Sequence, residues 1–148
     1  MSKNRFKVLR PGINTTFQDL GRDNLYHVGL PFSGAIDKRN FLIANSLITN
    51  RKDDAVLEFA YQGPLLEFSG SQTSIVITGN VNFKIIKKDT SEIKGECYKT
   101  YNLNNKDCLD IISTEKSVYG YLSVKGGFQI NKFCNSCLLY TSDAADEP

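Results

Sequence analysis

Long apolar runs are missing from this 148-residue sequence. No stretch approaches the roughly 20 residues that a membrane-spanning helix needs. The first residues, Met1-Ser2-Lys3-Asn4-Arg5-Phe6-Lys7, are charged and lead into no apolar run, so they do not read as a secretory signal. The expectation is a cytoplasmic protein with reduced thiols. Strong charge of one sign is missing too. The formal net charge is +2 and the lysines are scattered, with Lys87-Lys88 the nearest thing to a basic cluster. That balance argues against nucleic acid or an anionic membrane as partner. The phosphate-loop pattern is absent, which argues against a self-sufficient ATPase. Internal repeats and low-complexity linkers are absent as well.

Cysteine is sparse and poorly arranged for metal. Cys97 and Cys108 stand alone in strand-like segments and read as small apolar residues. Cys134 and Cys137 form C-x-x-C, but no second ligand pair accompanies them, and the βαβ context of a redox motif is missing. No metal site is expected.

What remains is ordinary globular composition, 41% hydrophobic and 23% charged. A domain of this length buries roughly 70% of its unfolded surface and needs no staple. Helical periodicity occurs once. Asp37 is a suitable N-cap, Phe41, Ala44, Leu47 and Ile48 share one face, and Asn50 is placed to end the helix in a left-handed conformation. Asn40 occupies the N3 position where a capping box uses Glu or Gln, so the cap is partial. From about residue 54 the pattern turns to strands: 57–61, 65–68, 74–78, 82–87, 96–101, 109–113 and 118–124. Turns are expected at 63–64, 88–90, 104–107 and 126–127. Many short strands and one helix predict a mainly β barrel or sandwich.

The most informative block runs from Pro11 to Glu58. It contains Pro11-Gly12, then Thr15-Thr16-Phe17-Gln18-Asp19-Leu20-Gly21-Arg22, then Gly29-Leu30-Pro31-Phe32-Ser33-Gly34-Ala35-Ile36-Asp37. Ala44-Asn45-Ser46-Leu47-Ile48, Leu57-Glu58 and Gly63-Pro64 follow in order. Later come Ile77-Thr78-Gly79 and Tyr121-Leu122-Ser123-Val124-Lys125-Gly126-Gly127. This succession resembles the family of C-type 5-oxoprolinase subunits, also labelled allophanate hydrolase subunit 2 or biotin-dependent carboxyltransferase. The family patterns are PG-x-x-T-T-I-Q-D-L-G-R, G-x-P-x-S-G-A-M-D, A-N-x-L-V, L-E-x-x-x-x-G-P, I-T-G and Y-L-A-V-x-G-G. Phe17 and Ile36 replace the usual Ile and Met. The resemblance covers roughly residues 6 to 130 and implies a cyclophilin-like β-barrel, with the one short helix after Asp37.

Family members are longer, so residues 1–133 read as the N-terminal part of the carboxyltransferase-type domain of these C-type subunits. Residues 134–148 read as a non-native tail, because 137–147 looks like translated sequencing-adapter sequence.

The resemblance implies one component of an ATP-dependent amide or lactam hydrolase that opens 5-oxoproline to glutamate. Its partners would be an A-type 5-oxoprolinase protein and a B-type, KipI-like protein. Two alternatives stand beside it. One is carboxyl transfer from biotin, carried on another domain, to a urea-like acceptor. The other is a non-enzymatic antagonist that binds a KipI-like kinase inhibitor.

Such chemistry needs anion-binding groups and a carboxylate. Arg22 can grip a carboxylate or phosphate bidentately, or simply pair with Asp19. Ser33 and Gly34, ahead of Asp37, can present a hydroxyl and N–H groups to an anion, or merely lead into the helix. Asn45 faces that loop or acts as a structural amide. Glu58 is a solvated strand residue or a pocket carboxylate. Asp19, Arg22 and Glu58 are the catalytic candidates; Arg22, Ser33, Gly34, Asp37 and Asn45 are the binding candidates. His27, the single histidine, reads as structural.

Overall fold

The computed structural model describes residues 4–18, 35–129 and 138–141. Its elements in order are β1 (Arg5–Arg10), β2 (Thr16–Gln18), α1 (Lys38–Leu47), β3 (Val56–Ala60), β4 (Leu65–Ser69) and β5 (Gln72–Thr78). Then come β6 (Val81–Ile86), β7 (Glu92–Lys94), β8 (Thr100–Asn104), β9 (Cys108–Thr114), β10 (Tyr119–Val124), β11 (Phe128–Gln129) and β12 (Leu138–Thr141). The strands form two antiparallel sheets, one in the order β11-β12-β1-β4-β9-β6-β7, the other β2-β3-β10-β5-β8. The fold is mainly β with one short helix after Asp37, as the sequence predicts. Strand β12 lies within the segment read as a non-native tail and pairs with β1 and β11. No helix among the described residues is long and apolar enough to cross a membrane.

Both sheets contribute to one core. Phe6, Leu66, Phe68, Phe83, Ile85, Leu109 and Ile111 from the larger sheet meet Leu57, Phe59, Ile75, Ile77, Leu103, Leu122 and Val124 from the smaller. Burial on this scale supplies the main folding force, since each large apolar side chain removed from water contributes about 1.5–3 kcal/mol. The opposite face of the smaller sheet is covered by α1. Ala35, Phe41, Ala44 and Ile48 pack there against Val56, Val76 and Tyr121.

That second layer explains where the periodic patterns mislead. Strand β3 alternates in sequence, yet Val56, Leu57, Glu58, Phe59 and Ala60 are all buried. One set of side chains enters the inter-sheet core, and the other lies under α1. Phe41 and Ala44 in α1 and Ile48 at its C-cap are buried as predicted, whereas Leu47 is exposed and the polar Asn45 takes an inner position.

Two further expectations change. Residues 96–101 are not one strand. Instead β7 and β8 flank a turn in which Tyr98 is left-handed at φ 65°, its hydroxyl accepting from Gly79 N–H and donating to Asn40 Oδ1. These tertiary bonds outweigh the β propensity of the segment. At the helix end the left-handed residue is Thr49, φ 57°, rather than Asn50. The Asn50 amide is engaged elsewhere. It donates to Val124 O at 2.7 Å and to Ser123 Oγ at 3.2 Å, and accepts from Gly126 N–H at 2.8 Å.

Candidate functional site

The candidate site is built around the start of α1. Asp37 is its N-cap, and Asp37 Oδ1 accepts from Asn40 N–H at 3.1 Å. The Asn40 side-chain amide donates to Asp37 Oδ2 at 2.8 Å. In a full capping box the N3 side chain would instead accept from the Asp37 N–H. Here the Tyr121 hydroxyl takes that N–H, at 2.8 Å. The cap is thus completed by β10, a strand more than eighty residues away in sequence.

Tyr121 is in turn a hydrogen-bond donor. Its hydroxyl donates to Glu58 Oε2 at 2.6 Å, and the same oxygen accepts from Ile36 N–H at 3.0 Å. Glu58 is 4% exposed and Tyr121 is fully buried. Burial, followed by the hydrogen bond to Glu58, pushes the Tyr121 phenol well above its ordinary value. It therefore stays protonated and remains the donor in this pair.

Glu58 also marks the two ends of the segment 19–34. On one side Thr16 of β2 is its cross-strand partner, two residues before the last described residue of that strand. On the other, Ile36 N–H is bound to its carboxylate, two residues after the segment ends. Asp19, Arg22, Ser33 and Gly34 all lie in that segment, outside the described residues, as does His27. The chain thus leaves β3 and returns to it at the same residue.

Asn45 belongs to a neighbouring cluster. Its Nδ2 donates to Asp54 O at 2.9 Å, and its Oδ1 accepts from Ser123 Oγ at 3.0 Å and Asn50 Nδ2 at 3.3 Å. These bonds join α1 to the turn at 50–54 and to β10, and none goes to the start of the helix. Of the two alternatives, it acts as a structural amide, for the 50–54 turn rather than the 33–37 loop. Ser123 and Tyr121 lie two residues apart on β10, so both face α1.

Tyr121 and Ser123 escaped the sequence reading as site residues. The signal was present: Tyr121 and Ser123 alternate with Leu122 and Val124 along the strand. Alternation of that kind on a strand buried on both faces marks a polar seam under the helix.

With this geometry in view, comparison with known proteins is informative. The family profile described as carboxyltransferase domain, subdomain A and B, matches residues 28–145. The chain belongs to this carboxyltransferase domain family. Among curated members, a urea amidolyase of Lachancea kluyveri is 29% identical over 137 residues, taking in 88% of this chain and 7% of that protein. The C-type subunit of the Haemophilus influenzae 5-oxoprolinase is 30% identical over 122 residues, taking in 82% of this chain and 38% of that protein. The crystal structure of the Kluyveromyces lactis urea carboxylase superposes with a TM-score of 0.75 at 29% identity, covering 92% of this chain and 12% of that one. This carboxyltransferase-family chain therefore spans well under half the length of the curated relatives it matches. The resemblance read from the motifs and the family assignment agree.

Proposed function

We propose that this chain is the carboxyltransferase-type part of a C-type subunit in an ATP-dependent 5-oxoprolinase. It would open the 5-oxoproline lactam to glutamate together with an A-type protein and a B-type, KipI-like protein in the cytoplasm. One observation carries the reading. Three motif segments far apart in sequence, Ser33-Gly34-Ala35-Ile36-Asp37, Leu57-Glu58 and the segment beginning at Tyr121, converge on a single part-buried hydrogen-bond cluster through Ile36, Asp37, Glu58 and Tyr121. Residues held in such a cluster are suited to fixing a loop against a small polar ligand.

A lactam carbonyl is a poor electrophile and needs activation before water attacks. ATP would supply that activation at the assembled complex. Arg22, with the N–H groups around Ser33 and Gly34, is the proposed anion-binding set on this chain, and Asp19 and Glu58 are the proposed carboxylates.

The test is ATP-dependent glutamate release from 5-oxoproline by the full-length protein co-expressed with its partner proteins, with and without Arg22→Ala. Activity that needs this chain and falls about 100-fold in the variant supports the reading. A stable complex with no activity overturns it. That outcome would favour the second reading, carboxyl transfer from biotin on another domain to a urea-like acceptor, which the likeness to urea carboxylase supports. The domain boundary at residue 133 is part of the proposal. Recovery of the gene from independent DNA with residues 134–148 intact would overturn the assignment of that tail as foreign.

A further inference from the structure

We propose that the cleft between the β6–β7 turn and the β8–β9 turn binds a small phosphate-type oxyanion, held by the ammonium groups of Lys87 and Lys88 and by the side-chain amide of Asn105. The site stands apart from the cluster at the start of α1. Among the described residues, no hydrogen bond joins a member of this cleft to Ile36, Asp37, Glu58 or Tyr121.

The cleft has a volume of about 510 Å³ and is lined by Lys87, Lys88, Asp89, Asn104, Asn105 and Asp107. Small-ligand sites span roughly 300–1,000 Å³, so a small ion with its first waters fits easily. The floor is well fixed. Asp107 is 2% exposed. Its Oδ2 accepts from Lys87 Nζ and from Asn104 N–H, each at 2.8 Å, and its Oδ1 accepts from Lys88 N–H at 3.1 Å. One carboxylate thus ties the two turns together. The turn between β4 and β5 is joined to them as well. Gly70 N–H donates to Asn105 Oδ1 at 3.1 Å, and Lys106 N–H donates to Phe68 O at 2.8 Å.

These same bonds leave the cleft rich in donors. The Lys87 ammonium has three N–H groups, and its bond to Asp107 uses one. The Asn105 oxygen is taken by Gly70, so Nδ2 is the arm left for a ligand. Among the described residues, nothing accepts from Lys88 Nζ or from Asn105 Nδ2. The acceptors are largely spent. Asp107 is bonded at both oxygens, and Asp89 Oδ1 accepts from Ser91 N–H at 2.9 Å and from Ser91 Oγ at 2.6 Å.

A ligand in this cleft must therefore accept hydrogen bonds at several points. Two ammonium groups and an amide match an oxyanion with two charges and several oxygens, whereas a lone carboxylate is satisfied by one of the two cations. Two ammonium groups against two carboxylates cancel in formal charge. Selection then comes from the local donors rather than from a general positive field. Asp89 works against the anion, which gives the proposal a sign that can be checked.

The competing account is a pair of solvated turns with two surface lysines. Asn105→Asp separates the accounts. Its carboxylate still accepts from Gly70 N–H, so the turn survives, but the free donor becomes a charged acceptor. Lys88→Gln removes a cation that has no protein partner. Lys87 is left in place, because its removal would strand the buried Asp107 carboxylate.

The measurement is titration of inorganic phosphate into the full-length protein, read by the phosphorus NMR line width, at an ionic strength held constant with sodium chloride. Acetate serves as a competing probe. The expected result is saturable broadening with half-saturation below about 10 mM, displaced far less well by acetate than by further phosphate. Asn105→Asp should raise the half-saturation point about tenfold or more with an unchanged melting temperature, and Lys88→Gln about threefold to tenfold. Asp89→Asn should lower it about threefold. Absence of saturable broadening overturns the inference. So does binding by Asn105→Asp and Lys88→Gln that matches the wild type, or weaker binding by Asp89→Asn. Displacement by acetate as readily as by phosphate overturns the choice of a doubly charged ligand.

Discussion

At the scale of single residues, the fold depends on a few buried polar groups whose bonds are nearly all made. Asn45 is fully buried and its amide links α1, the turn at 50–54 and β10. Asn45→Ala leaves Asp54 O, Ser123 Oγ and Asn50 Nδ2 short of a partner, and should cost about 2–4 kcal/mol in urea unfolding. A loss below about 1 kcal/mol would mean that water replaces the amide. Asp107 makes a second prediction, for pH. Burial alone would raise its carboxyl. The Lys87 ammonium at 2.8 Å, the N–H groups of Asn104 and Lys88, and the Lys87 charge outweigh burial and hold it below its ordinary value of 3.8. A carboxyl depressed in the folded state stabilises the fold above its unfolded value, and that contribution is lost as pH falls through the folded value. Melting temperature should therefore fall more steeply for the wild type than for Asp107→Asn between about pH 5 and about pH 3. Parallel curves would show that the ionised form contributes nothing.

The element scale shows what the amino-acid pattern made legible. Gly, Asp and Asn clusters mark turns by local chemistry, so the turn at 88–90 and the one at 104–107 were readable, and so were most strands between them. Asp37 announces the helix start for the same reason. The burial of Glu58 was not readable, because it depends on α1 lying across β3, a contact between elements rather than a property of either. The Tyr121 bond to Asp37 N–H lies further still beyond local pattern, since it completes a cap from a distant strand. This split makes a prediction about α1. Asp37→Ala removes the bonds to Asn40 N–H and Nδ2 but leaves the Tyr121 contact to the backbone. The loss should be about 1 kcal/mol in chemical unfolding, with Asp37→Ser recovering most of it. A loss well above 2 kcal/mol, not recovered by Ser, would show that Asp37 supports more than the helix end.

On the scale of the whole molecule, the two sheets are joined by an aromatic cluster at one edge of the core. Phe17 on β2 belongs to the smaller sheet, while Phe6, Phe68 and Phe128 belong to the larger. Ring centroids of Phe17 and Phe128 are 5.3 Å apart, those of Phe6 and Phe68 5.3 Å, and those of Phe6 and Phe128 6.2 Å. The tilted geometries suit edge-on contact between ring quadrupoles. Phe17 stands two residues before the segment 19–34, so the inter-sheet contact at Phe128 also anchors the β2 side of the candidate site. Stability and function should then be coupled across this pair. Phe128→Leu and Phe17→Leu, with the double variant, should give a coupling energy of about 0.5–1.5 kcal/mol in a stability cycle. If the aromatic contact also sets the position of β2, each single variant should lower glutamate release by the assembled protein as well, and the double variant should lower it by less than the product of the two. Additive stability changes with unaltered turnover would mean that the two sheets are fastened independently, and that Glu58 and Tyr121 hold the site without help from the aromatic edge.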